Sequence, residues 1–147
     1  MIIGFGSDPN ASDLRAALMG HAVALGHHVV DLGSDDPVYA HTAVRVAEEV
    51  VAGRLDRGVL LCGTGIGMSI AANKVDGAYC ALVADSYQAR RAQLSNNANL
   101  IAVGALVTGP ELAKVLLEEY LSHEFDPGSR SAVKVDAIRS YESRATA

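Results

Sequence analysis

The stretch Gly58-Val59-Leu60-Leu61-Cys62-Gly63-Thr64-Gly65-Ile66-Gly67-Met68-Ser69 decides the fold. Its opening run, Gly58–Cys62, is continuously apolar, as a strand covered on both faces requires. The glycines that follow permit a tight turn and aim several backbone N–H groups at one point. An apolar helix is then expected from about Gly65 to Asn73. A strand that ends in a glycine loop and feeds a helix is one half of a βαβ unit.

The same alternation continues on both sides. Upstream, Ile2–Gly6 reads as a strand and Ser7–Asn10 as a polar turn. Ser12 is placed as a cap for a helix in which Leu14, Leu18, His21, Ala22 and Leu25 recur at helical spacing up to Gly26. His28–Leu32 is a second strand, and Thr42–Val51 a helix with Ala43, Val46, Ala47 and Val50 on one side. Downstream come a strand at Tyr79–Val83, a helix capped by Asp85 through Leu94, and a fifth strand at Asn99–Val103. Helices at Pro110–Leu121 and Ala132–Arg144 close the chain, separated by the Asp126–Ser129 turn. Strands alternating with helices imply an α/β fold with a parallel sheet covered on both sides. Ligands in such sheets sit beyond the carboxyl ends of the strands, which directs attention to Asp8, to Cys62 onward and to Asp85.

Composition narrows the function. The 147 residues are the length of one domain, half of them are hydrophobic, and no linker or repeat divides 1–147. A net charge of −5 with intermixed acids and bases gives no footprint for DNA or RNA. Two cysteines make no disulfide framework, and Met1 runs straight into a strand with no signal segment. Apolar runs break well before the ~18 residues a membrane span needs, so a cytoplasmic protein is expected. His27-His28 have no third ligand nearby, and His21, His41 and His123 are isolated, so neither a metal nor a cofactor is expected.

The glycine loop is neither of two familiar phosphate loops. No lysine precedes Ser69, and Met68 stands where a dinucleotide fingerprint needs its third glycine. The loop is suited to an anion or to an oxyanion formed during reaction. Cys62, at its mouth, is either a small buried hydrophobe or a thiolate favoured by the surrounding amides and able to take a proton. Cys80 has no such loop and reads as core. Asp8 suits helix capping and ligand binding alike, and Tyr39 suits packing or substrate contact.

Cys62-Gly63-Thr64-Gly65-Ile66-Gly67, continued by Ser69-Ile70-Ala71-Ala72-Asn73-Lys74, resembles the type B ribose-5-phosphate isomerase family, which includes the galactose-6-phosphate isomerase subunits. Gly6-Ser7-Asp8, Tyr39-Ala40, Asn96-Asn97-Ala98-Asn99 and Gly109–Lys114 extend the likeness over nearly the whole chain. The resemblance implies a three-layer α/β/α Rossmann-like sandwich with a five-stranded parallel sheet. It also implies a homodimer or dimer of dimers, with the last helix, about 130–144, at the subunit interface. Cys62 would be the base that moves a proton between C1 and C2, and the backbone of Gly63, Gly65, Ile66 and Gly67 the cradle of an enediolate. Thr64 would relay a proton between the two oxygens. Asp8, Pro9, Tyr39 and Asn96 would meet the sugar, and Arg130 and Lys134 the phosphate.

Two departures bear on the substrate. The family has Asp-His where this chain has Asp8-Pro9, and a ring-opening histidine where this chain has Ser95. A tetrose carrying phosphate on O4 cannot close a furanose ring and needs no such histidine. Tyr87–Ala98 and Gly128–Ala132 resemble the D-erythrulose-4-phosphate isomerase branch, which works in erythritol breakdown. The expected reaction is therefore interconversion of D-erythrulose 4-phosphate and D-erythrose 4-phosphate. Alternatives are ribose-5-phosphate isomerase B, a galactose-6-phosphate isomerase subunit, or a non-catalytic sugar-phosphate binding module.

Overall fold

The structure, a computed structural model, describes residues 1–33 and 35–142. Five strands, β1 (Ile2–Ser7), β2 (His28–Asp31), β3 (Arg57–Cys62), β4 (Cys80–Leu82) and β5 (Leu100–Gly104), form one parallel sheet in the order β2-β1-β3-β5-β4. The helices are α1 (Ser12–Ala24), α2 (Tyr39–Val51), α3 (Ile66–Ala72), α4 (Ser86–Asn96), α5 (Pro110–Leu121) and α6 (Ala132–Arg139). The expected α/β sandwich is the architecture found.

β3 is central, and none of its six residues reaches solvent appreciably. The two-residue period of a strand divides its side chains between two cores. Val59 and Leu61 join Ile3, Phe5, Ile101 and Val103 beneath α1, α4 and α5. Leu60 and Cys62 face the other way, with Val46 and Ala47 of α2 and Met68 of α3. Leu60 and Leu61 are both at 0% exposure, and truncating either to alanine costs about 2–5 kcal/mol.

The start of β3 holds a buried charge. Arg57 donates from Nη2 to His123 O at 2.7 Å and from Nη1 to Tyr120 O, beside the Tyr120 ring. It thereby satisfies carbonyls left open at the end of α5. Burial lowers its guanidinium pKa, opposed by Tyr120, Glu124 and Asp56.

Several boundaries differ from the sequence reading, most of the others by one or two residues. Ser12 does not cap α1: Asp8 accepts from Asn10 N at 2.8 Å and starts a 3-10 turn, Pro9–Ala11, that runs directly into the helix. α2 begins three residues early, so Tyr39 is helical. β4 spans only three residues because it is an edge strand paired with β5 alone. α6 stops at Arg139, and Glu142 beyond it turns back to accept from Gly77 N at 3.2 Å. Ser143 and Arg144, assigned to that helix from sequence, lie outside the described residues. Among the described residues no helix is long and apolar enough to cross a membrane.

Candidate active site

Order in this sheet reverses around β1 and β3, where crossovers leave in opposite directions and a crevice opens. Ser7 pairs with Leu61, so Asp8 comes level with Cys62 on the neighbouring strand, about 4.8 Å away backbone to backbone. The Asp8 N–H is spent on Leu61 O at 2.8 Å, and one carboxylate oxygen caps the 3-10 turn. Among the described residues no hydrogen bond reaches its second oxygen. Behind it, Arg15 donates to the Ser7 hydroxyl at 2.9 Å and pairs with Asp31 at 3.2 Å, tying together the ends of β1 and β2.

The loop after Cys62 is built around its sulfur. Gly65 N donates to Cys62 Sγ at 3.0 Å. Gly65 reaches that geometry at φ +77°, and a Cβ there would lie 2.7 Å from Leu82 Cδ1 and 3.0 Å from the Val103 carbonyl carbon. Glycine is the residue that fits. Ile66 N donates to Thr64 Oγ1 at 3.3 Å, which leaves the Thr64 hydroxyl proton free for a ligand. Among the described residues, the N–H groups of Gly63, Thr64 and Gly67 donate to no acceptor. These are the donors an oxyanion would take up.

Tyr39 lies over the start of α3, where a side chain on residue 67 would collide with its hydroxyl and ring. The tyrosine is 39% exposed, so it both packs on Gly67 and presents its edge to the crevice. Cys62, Thr64, Gly63–Gly67, Tyr39, Asp8 and Pro9 thus gather at one end of the sheet. Among the described residues no group of three or more His, Cys, Asp or Glu side chains is arranged to hold a metal ion.

The family described as Ribose/Galactose Isomerase matches residues 3–138. The chain belongs to that family. It is 44% identical over 144 residues to the D-erythrulose-4-phosphate isomerase of Pectobacterium atrosepticum, covering 95% of this chain and 94% of the relative. It is 40% identical to the Ribose-5-P isomerase B of Listeria innocua, over 98% and 99% of the two chains. Its fold superposes on the ribose-5-phosphate isomerase B of Clostridium thermocellum with a TM-score of 0.93, at 38% identity and 99% coverage of both. The protein is a sugar-phosphate aldose–ketose isomerase of this family.

In this isomerase three residues expected at the site stand elsewhere in the chain. Asn96 ends α4 and lines a cavity with Asn73, Tyr79, Cys80, Ala98 and Ile138. Cys80 and Gly58 both pair with Leu100, which puts that cavity four residues below Cys62, about 13 Å along the strands. Arg130 is exposed in the turn two residues before α6 and Lys134 is exposed on its first turn; α6 packs on α4, and its Ile138 closes the same cavity. Among the described residues neither base has an acidic partner.

Some of the resemblance has a structural explanation. Asn73 accepts from Cys80 N at 2.8 Å and donates to Cys80 O at 2.9 Å, completing the open edge of β4 as a neighbouring strand would. Asn97 occupies the left-handed region, φ 50°, and ends α4. Asn99 accepts from Tyr79 N and donates to Gly77 O, both at 2.8 Å. Of the Asn96–Asn99 cluster, Asn96 is the asparagine that the scaffold does not use.

Proposed function

We propose that the enzyme interconverts D-erythrulose 4-phosphate and D-erythrose 4-phosphate, with Cys62 as the base. The observation that carries the chemistry is the Gly65 N–H···Sγ bond at the mouth of a loop with unoccupied N–H donors. The thiolate takes a proton from C1 of the ketose, or from C2 of the aldose. The electron pair moves into a C1–C2 double bond, and the carbonyl oxygen becomes an enediolate oxygen held by the loop amides. The Thr64 hydroxyl moves a proton between O1 and O2, and the Cys62 thiol returns its own to the neighbouring carbon. Asp8, Pro9 and Tyr39 line the sugar's path.

The tetrose is supported by Pro9 and Ser95. Pro9 supplies no imidazole beside Asp8, and Ser95 lies half-buried on the last turn of α4. A substrate that is open-chain by constitution requires neither histidine. The 44% identity to a D-erythrulose-4-phosphate isomerase agrees.

The active species in this reading is a dimer. With Asn96, Arg130 and Lys134 displaced from Cys62 in one chain, a second copy would bring them to the loop. Exposed Ile66, Ile70, Leu82 and Val107, each at least 41% accessible, surround the loop and suit such a face. The deciding experiment is isomerisation by the purified protein alone, with D-erythrulose 4-phosphate and ribose 5-phosphate at equal concentration. A strong preference for the tetrose is expected. Preference for the pentose would overturn the substrate and return the protein to the ribose-5-phosphate reading, leaving Cys62 as the base. The same preparation should have the mass of a dimer or larger, and Ile70→Lys should lower both mass and turnover.

A further inference from the structure

α6 carries Lys134 and follows Arg130 by two residues, the two bases assigned to the phosphate, yet little holds it. It has eight residues, and Val135, 2% exposed, is its one buried side chain. A helix that short is not stable on its own, and Val133 and Ile138 are 71% and 46% exposed. One further attachment is polar and lies at and just past its end. Glu142 accepts from the Tyr79 hydroxyl and from Gly77 N through the same oxygen. The Arg139 guanidinium stands 6.0 Å over the Tyr79 ring. Tyr79 is a firm base for this contact, because Asn99 fixes its N–H and the Gly77 carbonyl. Burial, with the Glu142 bond, pushes the Tyr79 phenol up, so it remains a donor at working pH.

We propose that Tyr79 is a positioning residue for substrate phosphate: through Glu142 it fixes α6, and with it Arg130 and Lys134. This rests on the reading of Arg130 and Lys134 as the phosphate anchor. The Tyr79 hydroxyl donates to Glu142, and the residue sits at the end of the sheet opposite Cys62. Removal of the hydroxyl therefore acts on binding and leaves the proton-transfer step unaltered.

The test is Tyr79→Phe, which keeps the ring beneath Arg139 and deletes the hydroxyl that Glu142 and Arg139 engage. The KM for D-erythrulose 4-phosphate should rise about fivefold with kcat within about twofold, the pattern of lost uniform binding. The inhibition constant of inorganic phosphate should rise by the same factor. Glu142→Ala should do the same. In an Arg130→Ala/Lys134→Ala background Tyr79→Phe should add nothing, because coupled residues are not additive. The proposal is overturned if Tyr79→Phe leaves KM and phosphate inhibition unchanged while Arg130→Ala raises both. An undiminished effect in the background lacking both bases also overturns it. If Arg130→Ala/Lys134→Ala itself leaves KM unchanged, the anchor reading fails first, which is a separate result. Should Glu142→Ala fail to fold, Tyr79→Phe decides alone.

Discussion

Cys62 and Cys80 sit in the same core between the sheet and α2–α3, and their exposures, 6% and 7%, hardly differ. They stand at opposite ends of their strands. Cys62 is the last residue of β3, and its sulfur receives the Gly65 N–H. Cys80 is the first residue of β4, its backbone clamped by Asn73, and burial pushes its thiol up to about 12. Burial alone therefore does not distinguish the thiol proposed as the base from the other. What sorts them is whether the chain beyond the sulfur turns its amides back toward it.

The largest effect should come from Cys62→Ala, with kcat lowered about 10³-fold or more and the fold retained. Cys80→Ala should keep turnover within about twofold of the parent. Equal losses in the two variants would break the contrast. Selective alkylation sharpens it further. At pH 8 a thiol with a pKa of about 12 is thiolate in only about one molecule in ten thousand. Iodoacetamide should therefore modify Cys62 in the native protein and Cys80 only after denaturation, as read by peptide mass. Early labelling of Cys80 would show that its burial is not what the fold suggests.

Smaller effects concern stability. Asn73→Ala should leave the Cys80 N–H without its partner and the Cys80 C=O with the Ser69 hydroxyl alone, and lower unfolding free energy by about 1–3 kcal/mol, measured by urea titration. Smaller again is a pH effect. The folded state holds the Cys80 proton up to about 12, against an ordinary value of 9.0. Between those limits the unfolded chain binds fewer protons, so stability falls as pH rises. Tyr120, fully buried and also raised, adds to the same slope. In Cys80→Ala the decline of the urea midpoint from pH 9 to 11 should be shallower than in the parent. An identical slope would assign the whole effect to the tyrosines.

Much of this was legible in the residues because the signals are local. The apolar run ending at Cys62, the glycines after it and Asp85 at the start of α4 each state their role within a few positions. Asp85 does cap, accepting from Gln88 N at 2.8 Å. The roles that were missed depend on distant neighbours. Arg57 reads as an ordinary charge before a strand, and its burial follows from α5 ending above it, over sixty residues later. Asn73 reads as a helix end or a family signature until β4 is seen to lack a neighbour. Ser12 looked like a cap because Pro9 gives no hint that a 3-10 turn takes up the first donors. Asn96 was grouped with Cys62 by resemblance, whereas one chain keeps it at the other end of its sheet.

The strand order also has a history in time. β5 lies between β3 and β4, although it follows both in the chain. A growing polypeptide can lay β3 against β1, but the other edge of β3 stays bare until residues 100–104 arrive. β4 has no sheet neighbour at all before then. Cys62 on the bare edge of β3 and Cys80 on the unpaired β4 thus both wait for β5 during synthesis, and β5 is the segment whose delay a cell would notice first.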